Sequence, residues 1–296
     1  MAYKLHLEEV CTNDILNRKR VRKMKNGYGK VALVVGASSG VGKCCAEYLS
    51  DQGYTVYGTS RSAPFPEESS HQDESKTLMM PLDVTKEETI KKAVDYIVEK
   101  EGRIDLLLNC AGYSLSGAVE DISLAEAQAV FNTNVFGIMM VCRKVLPLMR
   151  KQRSGLIVNI SSVAGLISVP YQSMYSASKY ALEAVTEALR IETKPFGINV
   201  SLIEPGDMKT NFKRTYAKDA AHSPYQERLK AAINAMIKSE QSGPGPEVVL
   251  KELKKILNSK NPPVRLIVGL EYKLINLLKR LLPSQSLEGI VSKIYS

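Results

Sequence analysis

Short apolar runs rich in Val, Ile and Leu recur along the chain, and most are followed by longer segments with an apolar residue every three or four positions. The first run, "KVALVVG" at 30–36, is β-branched and stops at a glycine, which predicts a buried strand. "VGKCCAEYLSDQG" follows with helical spacing and stops at Gly53. Strands are predicted again at "YTVYGTSR" (54–61), "TLMMPLDVT" (77–85), "IDLLLNCAG" (104–112), "GLIVNISS" (155–162), "INVSLIEPG" (198–206) and "VRLIVG" (264–269). Helical spacing fills "KEETIKKAVDYIVEKEG" (86–102), a stretch from about 123 to 152, and the segment around "SMYSASKYALEA" (173–184). "PFPEESSHQDESK" (64–76) is polar and rich in Pro and Ser, and reads as a loop.

Strand and helix alternate. That order predicts right-handed crossovers and an α/β fold: a Rossmann-like, doubly wound parallel sheet of about seven strands in a single domain spanning 30–270. In such sheets ligands bind beyond the carboxyl ends of the strands, where the strand order reverses. Gly36, Asn109 to Gly112, Ser161 with Ser162, and Pro205 with Gly206 all end strands, so they are expected at one edge.

The composition of the 296 residues, 44% hydrophobic and 24% charged, leaves this reading unchanged. No apolar run reaches the eighteen or so residues of a membrane span. The first residues, "MAYKLHLEEVCTND", are charged throughout, so no signal peptide is expected. Five cysteines without metal-site spacing suggest a reduced, cytoplasmic setting, and three scattered histidines suggest no metal site. Charge does change the picture. Residues 1–30 carry a net +5 and 251–296 a net +6, leaving −2 for the middle. Residues 1–29 read as a basic N-terminal extension, densest at "RKRVRKMK" (18–25): a solvated leader, or one attracted to an anionic surface.

"GASSGVG" places Gly36, Gly40 and Gly42 between a strand and a helix, with Ser38, Ser39 and Val41 among them. Glycines let the backbone approach a pyrophosphate, and the helix N-terminus supplies free N–H donors. The second strand ends in Ser60 and Arg61, where folds that choose NAD place a carboxylate on the ribose. No carboxylate here would repel a 2′-phosphate, and a guanidinium could pair with one, so NADP(H) is expected over NAD(H), which stays open. Asp83, beside Val84, could lie near the adenine or open a turn as "DVT".

With "NCAG" (109–112), Asn134 in "NTNVFG", Ser162 in "NISSVAG", "YSASK" (175–179) and "PGDMKT" (205–210) added, the chain resembles the short-chain dehydrogenase/reductase family over about 30–270, most like its hydroxysteroid and retinol dehydrogenase branch. It departs at Val35, where the family has threonine, and at Cys110, where it has asparagine. The resemblance implies Tyr175 as proton donor and acceptor, Lys179 as its tuning cation and a ligand of the nicotinamide ribose, Ser162 as the donor that orients the substrate oxygen, and Asn134 as the holder of a relay water. It also implies cofactor contacts from Asn109, Ala111, Gly112, Pro205, Gly206, Met208 and Thr210.

The chemistry is consistent with these roles. A free tyrosine has a pKa near ~10, and a cation at i+4 on the same helix face would lower it. Tyr113, Leu115, Ala164 to Ile167, Pro170, Met174 and Met208 to Phe212 are candidate substrate walls, and 207–240 is a candidate lid. An apolar pocket suits a steroid, retinoid or acyl-like carbonyl or alcohol. A 3-oxoacyl thioester reductase is the alternative within enzymes, and a non-catalytic NADP(H)-binding sensor or scaffold the alternative outside them. In the segment 271–296, Leu287, Ile290, Val291 and Ile294 form one stripe, which fits packing on the domain, a homo-oligomer, or a membrane surface with Lys279, Arg280 and Lys293 toward headgroups. No nucleic-acid partner is expected.

Overall fold

The computed structural model describes residues 28–66 and 77–295, with the side chains of 294 and 295 left aside. The basic run 18–25 and most of the loop 64–76 lie outside the described residues.

All seven expected strands form: β1 (Val31–Val35), β2 (Thr55–Ser60), β3 (Leu78–Pro81), β4 (Leu106–Asn109), β6 (Gly155–Ile160), β7 (Ile198–Glu204) and β9 (Arg265–Ile267). They make one parallel sheet in the order β3-β2-β1-β4-β6-β7-β9. The order reverses between β1 and β4, the place where ligands bind in such sheets. Val35 lies beside Asn109, and Asn109 beside Asn159, so the carboxyl ends are level there.

Both faces of the sheet are covered, which is why its central strands are apolar without a break. Val31, Leu33 and Val35 face one layer, with α2 (Glu87–Glu101) and α4 (Ile138–Gln152) packed through Ile90, Val94, Ile97, Val141, Val145 and Met149. Ala32 and Val34 face the other, with α1 (Gly40–Asp51) and α7 (Val248–Leu257) packed through Cys45, Leu49, Val249, Leu253 and Ile256. Each such fully buried Leu, Ile or Val contributes roughly 1.5–3 kcal/mol.

Three local features differ from the periodicity. The helical stretch at 123–152 is α3 (Leu124–Phe131), a π-helical turn Asn132–Gly137, and α4. The widened turn carries Asn134 inward, a use such turns often have at functional sites. Two three-residue strands, β5 (Ser114–Ser116) and β8 (Arg214–Tyr216), pair in parallel outside the main sheet. They are too short and too polar to show in a hydrophobic pattern. The segment after Gly206 therefore contains a strand as well as the expected helix, α6 (Gln226–Ser242). The run Leu124–Gln152 is long and apolar enough to cross a membrane by length and hydropathy alone, yet Val130, Val135, Ile138, Val141 and Val145 from it are buried in this domain.

Candidate active site

A cleft of about 820 Å³ opens at the carboxyl ends of β1, β2, β4, β6 and β7. Its floor begins at the glycine turn. Gly36 and Gly40 have φ of +85° and +52°, a region that favours glycine. The N–H groups of Gly36 and Ala37 donate to the Thr59 carbonyl at 3.1 and 2.8 Å, tying the turn to β2. A Cβ on Gly42 would lie 2.0 Å from the Gly36 carbonyl oxygen, so helix and strand meet at glycine contact. Ser39 makes no side-chain cap, and no acidic residue stands in the first turn of α1, which leaves its N–H donors facing the cleft. These residues fit the pyrophosphate of a dinucleotide.

Along the wall, Ser60, Arg61, Asp83 and Val84 line the cleft, as expected. Asp83 also opens a turn. Its Oδ1 accepts from the Thr85 N–H and hydroxyl at 3.0 and 2.7 Å. Burial works against its charge, but those bonds hold the carboxyl below the usual range.

The proton-transfer candidates meet deeper in. Tyr175 and Lys179 lie one turn apart on α5 (Ser173–Thr193), both lining the cleft and both largely buried, at 8% and 4% exposed. Ser162, just after β6, lines the cleft with Tyr175, and its hydroxyl accepts from the Ala164 N–H at 3.1 Å. The Lys179 ammonium donates to the Ile160 carbonyl at 3.0 Å and stands 5.8 Å from the centre of the Tyr175 ring. Asn134 is buried behind them. It binds the backbone of Tyr113 in both directions, accepting at 3.1 Å and donating at 3.0 Å. It also donates to Ser178 at 3.0 Å, and Ser178 in turn donates to the Tyr175 carbonyl at 2.7 Å. Asn134 thus braces the helix turn that carries the tyrosine.

Electrostatics depart from the expectation. Burial pushes the Tyr175 phenol up to about 12, against the pull of the Ser162 hydroxyl. Burial also brings the Lys179 ammonium down to about 8, although Glu183 pulls the other way. Among the protein's own groups desolvation outweighs the cation, so Tyr175 keeps its proton at neutral pH.

Gly36, Ser38 to Gly42, Ala111, Gly112, Pro205, Gly206, Met208 and Thr210 also line the cleft, as do Tyr113, Leu115, Ala164 and Phe212 on the substrate side. Asn109, Gly165 to Ile167, Pro170, Met174 and Lys209 do not. Asn109 is turned into the core, where it donates to Asn159 at 2.8 Å and Asn159 donates to Thr186 at 2.9 Å, a polar ladder joining β4, β6 and α5. Glu126, Gln172 and Tyr272, which the sequence reading does not name, line the cleft too, as do Met236 and Glu240, which it names only within the candidate lid 207–240. Gln172 had a signal, since it stands three residues before Tyr175. The others come from distant elements, and nothing local marks them. With Asp207 and Lys213 they make the outer wall more polar than an apolar pocket. There, Arg214 pairs with Glu240 at 2.5 Å.

Comparison with known proteins agrees with this geometry. The profile of the short chain dehydrogenase family matches residues 30–221. A 3-ketodihydrosphingosine reductase of Bacteroides thetaiotaomicron is 40% identical over 243 residues, 81% of this chain and 88% of that protein. Retinol dehydrogenase 8 of Bos taurus is 32% identical over 274 residues, 87% of each chain. A short-chain dehydrogenase of Streptomyces avermitilis superposes with a TM-score of 0.74 at 32% identity, over 89% of this chain and 96% of that one. ElxO with NADP bound has a TM-score of 0.66 at 28% identity over 83% and 99%. A relative from Burkholderia phymatum in complex with NAD has 0.70 at 25% over 87% and 95%. Strand order, glycine turn and matched span together place this chain in the short chain dehydrogenase family, as an oxidoreductase acting on CH–OH or C=O groups with a nicotinamide cofactor.

Proposed function

We propose that the protein is an NADP(H)-dependent reductase of a ketone carried on a long apolar chain with a polar head. The observation that carries the proton-transfer reading is the Tyr175 hydroxyl, buried with Ser162 at the end of the cleft, where desolvation favours the neutral phenol. A phenol kept neutral at working pH is a proton donor first. Bound NADPH would supply the hydride. The chain's own residues do the rest. Ser162 and Tyr175 donate hydrogen bonds to the carbonyl oxygen, and Tyr175 passes its proton to that oxygen as negative charge develops there. Lys179 stabilises the phenolate left behind, and Asn134 keeps the helix turn in place.

Arg61, exposed and lining the cleft with no carboxylate at Ser60, supports the phosphate-bearing cofactor. The substrate reading rests on a mixed wall: Leu115, Val169, Phe212 and Met236 beside Glu126, Asp207, Lys213 and Glu240. The similarity to a 3-ketodihydrosphingosine reductase points the same way. The segment from Asp207 to Glu240 lines the outer cleft and is read as the lid. The exposed Leu270, Leu274, Leu277 and Leu281 on α8 (Leu270–Leu281) support peripheral contact with a lipid surface, and Phe136 and Met139 support a homo-oligomer. The free cysteines at 44, 45, 110 and 142 fit a cytoplasmic setting.

The test is NADPH oxidation with 3-ketodihydrosphingosine, retinal, a steroid ketone and a 3-oxoacyl thioester. The expected result is the highest kcat/KM for the first, by about tenfold or more, and a loss of about 100-fold or more in kcat for Tyr175→Phe. Preference for the thioester would favour the alternative enzyme reading. Wild-type turnover by Tyr175→Phe would refute the mechanism, and no turnover of any of the four would leave a cofactor-binding sensor.

A further inference from the structure

Near Lys179, where α5 packs on β7, two carboxylic acids are buried together. Glu183 stands one turn after Lys179 on α5, and Glu204 ends β7 just before Pro205. Glu183 is 3% exposed and Glu204 not at all. As carboxylates, none of their four oxygens accepts a well-formed hydrogen bond among the described residues. Ser161 is close by: a Cβ on Gly165 would lie 3.1 Å from its Oγ and 3.2 Å from the Glu183 Cγ. Arg265, the first residue of β9, reaches between the two acids, its Nε 3.3 Å from Glu183 Oε2 and 3.6 Å from Glu204 Oε1. Its Nη2 is 2.9 Å from Glu187, a third acid one turn further along α5. Of the other titratable neighbours of Lys179, Cys110 is a buried thiol raised to about 12 and Tyr175, its ring centre 5.8 Å away, a phenol raised to about 12, so both are neutral.

The charges in this cluster do not balance if every group is ionised. Arg265 pairs with Glu187 at 2.9 Å on the partly exposed rim, which leaves one buried positive charge, Lys179, against two buried negative ones, Glu183 and Glu204. In a low-dielectric interior an uncompensated charge is costly, and two carboxylates in contact cannot both ionise at little expense. One proton between Glu183 and Glu204 makes the set neutral and turns two mutually repelling acceptors into a donor and an acceptor. Burial raises both carboxyls, and for Glu204 the charge of Glu183 adds to it.

We propose that Glu183 and Glu204 share a single proton, and that the one negative charge they keep is the counter-charge that holds Lys179 as an ammonium under the cleft. Both are positioning residues: they act through Lys179 and touch neither cofactor nor substrate. The functional half of this inference rests on the reductase reading above, while the shared proton does not.

Two measurements on the full chain test it. Infrared spectroscopy of the cofactor-free protein at pH 7 is expected to show the C=O stretch of a protonated buried carboxyl, lost in both Glu183→Gln and Glu204→Gln. A spectrum without that band in the wild type, or with the band intact in both variants, overturns the shared proton, whatever the protein reduces. The second measurement is the pH dependence of NADPH affinity by cofactor fluorescence, with kcat beside it. Each single variant keeps one charge near Lys179, so the alkaline limb should move by less than about a third of a pH unit. Glu183→Gln/Glu204→Gln removes the charge, and the limb should fall by about one unit. A double variant that melts at a lower temperature but keeps the wild-type limb shows a packing role only and refutes the link to Lys179. A single variant that moves the limb as far as the double refutes the sharing.

Discussion

At the scale of single residues, small differences of side chain separate related chemistries. Arg61 follows Ser60, where a carboxylate would select the unphosphorylated cofactor. Its exposed guanidinium can add one charge-assisted contact to a 2′-phosphate, worth about 1.5–3 kcal/mol. Arg61→Ala is therefore expected to weaken NADPH by about 10- to 100-fold and NADH by less than about threefold, as read by fluorescence titration. Equal losses for the two would remove the basis for the cofactor assignment. Tyr175 teaches a complementary lesson. The i, i+4 spacing to Lys179 is correct and visible in the sequence, but the spacing does not say which force wins. Burial wins, because both groups are enclosed and the ammonium is directed at the Ile160 carbonyl.

At the scale of elements, the glycine turn is the part that tolerates least. A Cβ at residue 42 would fall on backbone, 2.0 Å from the Gly36 oxygen, and backbone there cannot give way without moving β1 or α1. Gly42→Ala is expected to lower NADPH affinity more than tenfold and to lower the melting temperature by several degrees, measured by titration and by thermal melt. Unchanged affinity would mean that helix and strand are not held at glycine contact in solution. The strands β1, β4 and β6 were legible in the sequence because they are buried on both sides and so carry unbroken apolar runs. Tyr175, Lys179, Ser162 and Asn134 were legible through ordered motifs. The pair β5 and β8 was not, since Ser114 to Ser116 and Arg214 to Tyr216 have neither length nor apolar alternation. Asn109 was misplaced for a related reason: a residue at a strand end can point to the cleft or into the sheet's cover, and only packing decides.

For the whole molecule, the buried ionisable groups give stability a signed dependence on pH. Folding lowers the Lys179 pKa from 10.5 to about 8, so between those values the unfolded chain binds more protons and stability rises with pH. Tyr175 moves the other way, from 10.0 to about 12, and its contribution is lost above pH 10. Urea melts at pH 7 to 10 are expected to show a rise of roughly 1–3 kcal/mol relative to Lys179→Met, which lacks the titrating group. Parallel curves for the two proteins would contradict the buried ammonium. On the outer surface, Leu270 is 80% exposed and Leu281 70%, on a helix whose Lys279 and Tyr272 are anchored to Leu166 and Asp207. Leu274→Glu/Leu277→Glu is expected to reduce sedimentation with anionic vesicles by about tenfold while leaving turnover of a detergent-dispersed ketone unchanged. Tyr272 bears on synthesis as well. The family match ends at residue 221, and by then a nascent chain has all four proton-transfer candidates but not Met236, Glu240, Arg265 or Tyr272. Until those residues leave the ribosome, the half-built cleft and the β7 edge that β9 will cover stay open to other chains. The stretch of translation between Glu204 and Ile267 is therefore when that strand edge is open to pairing with another chain.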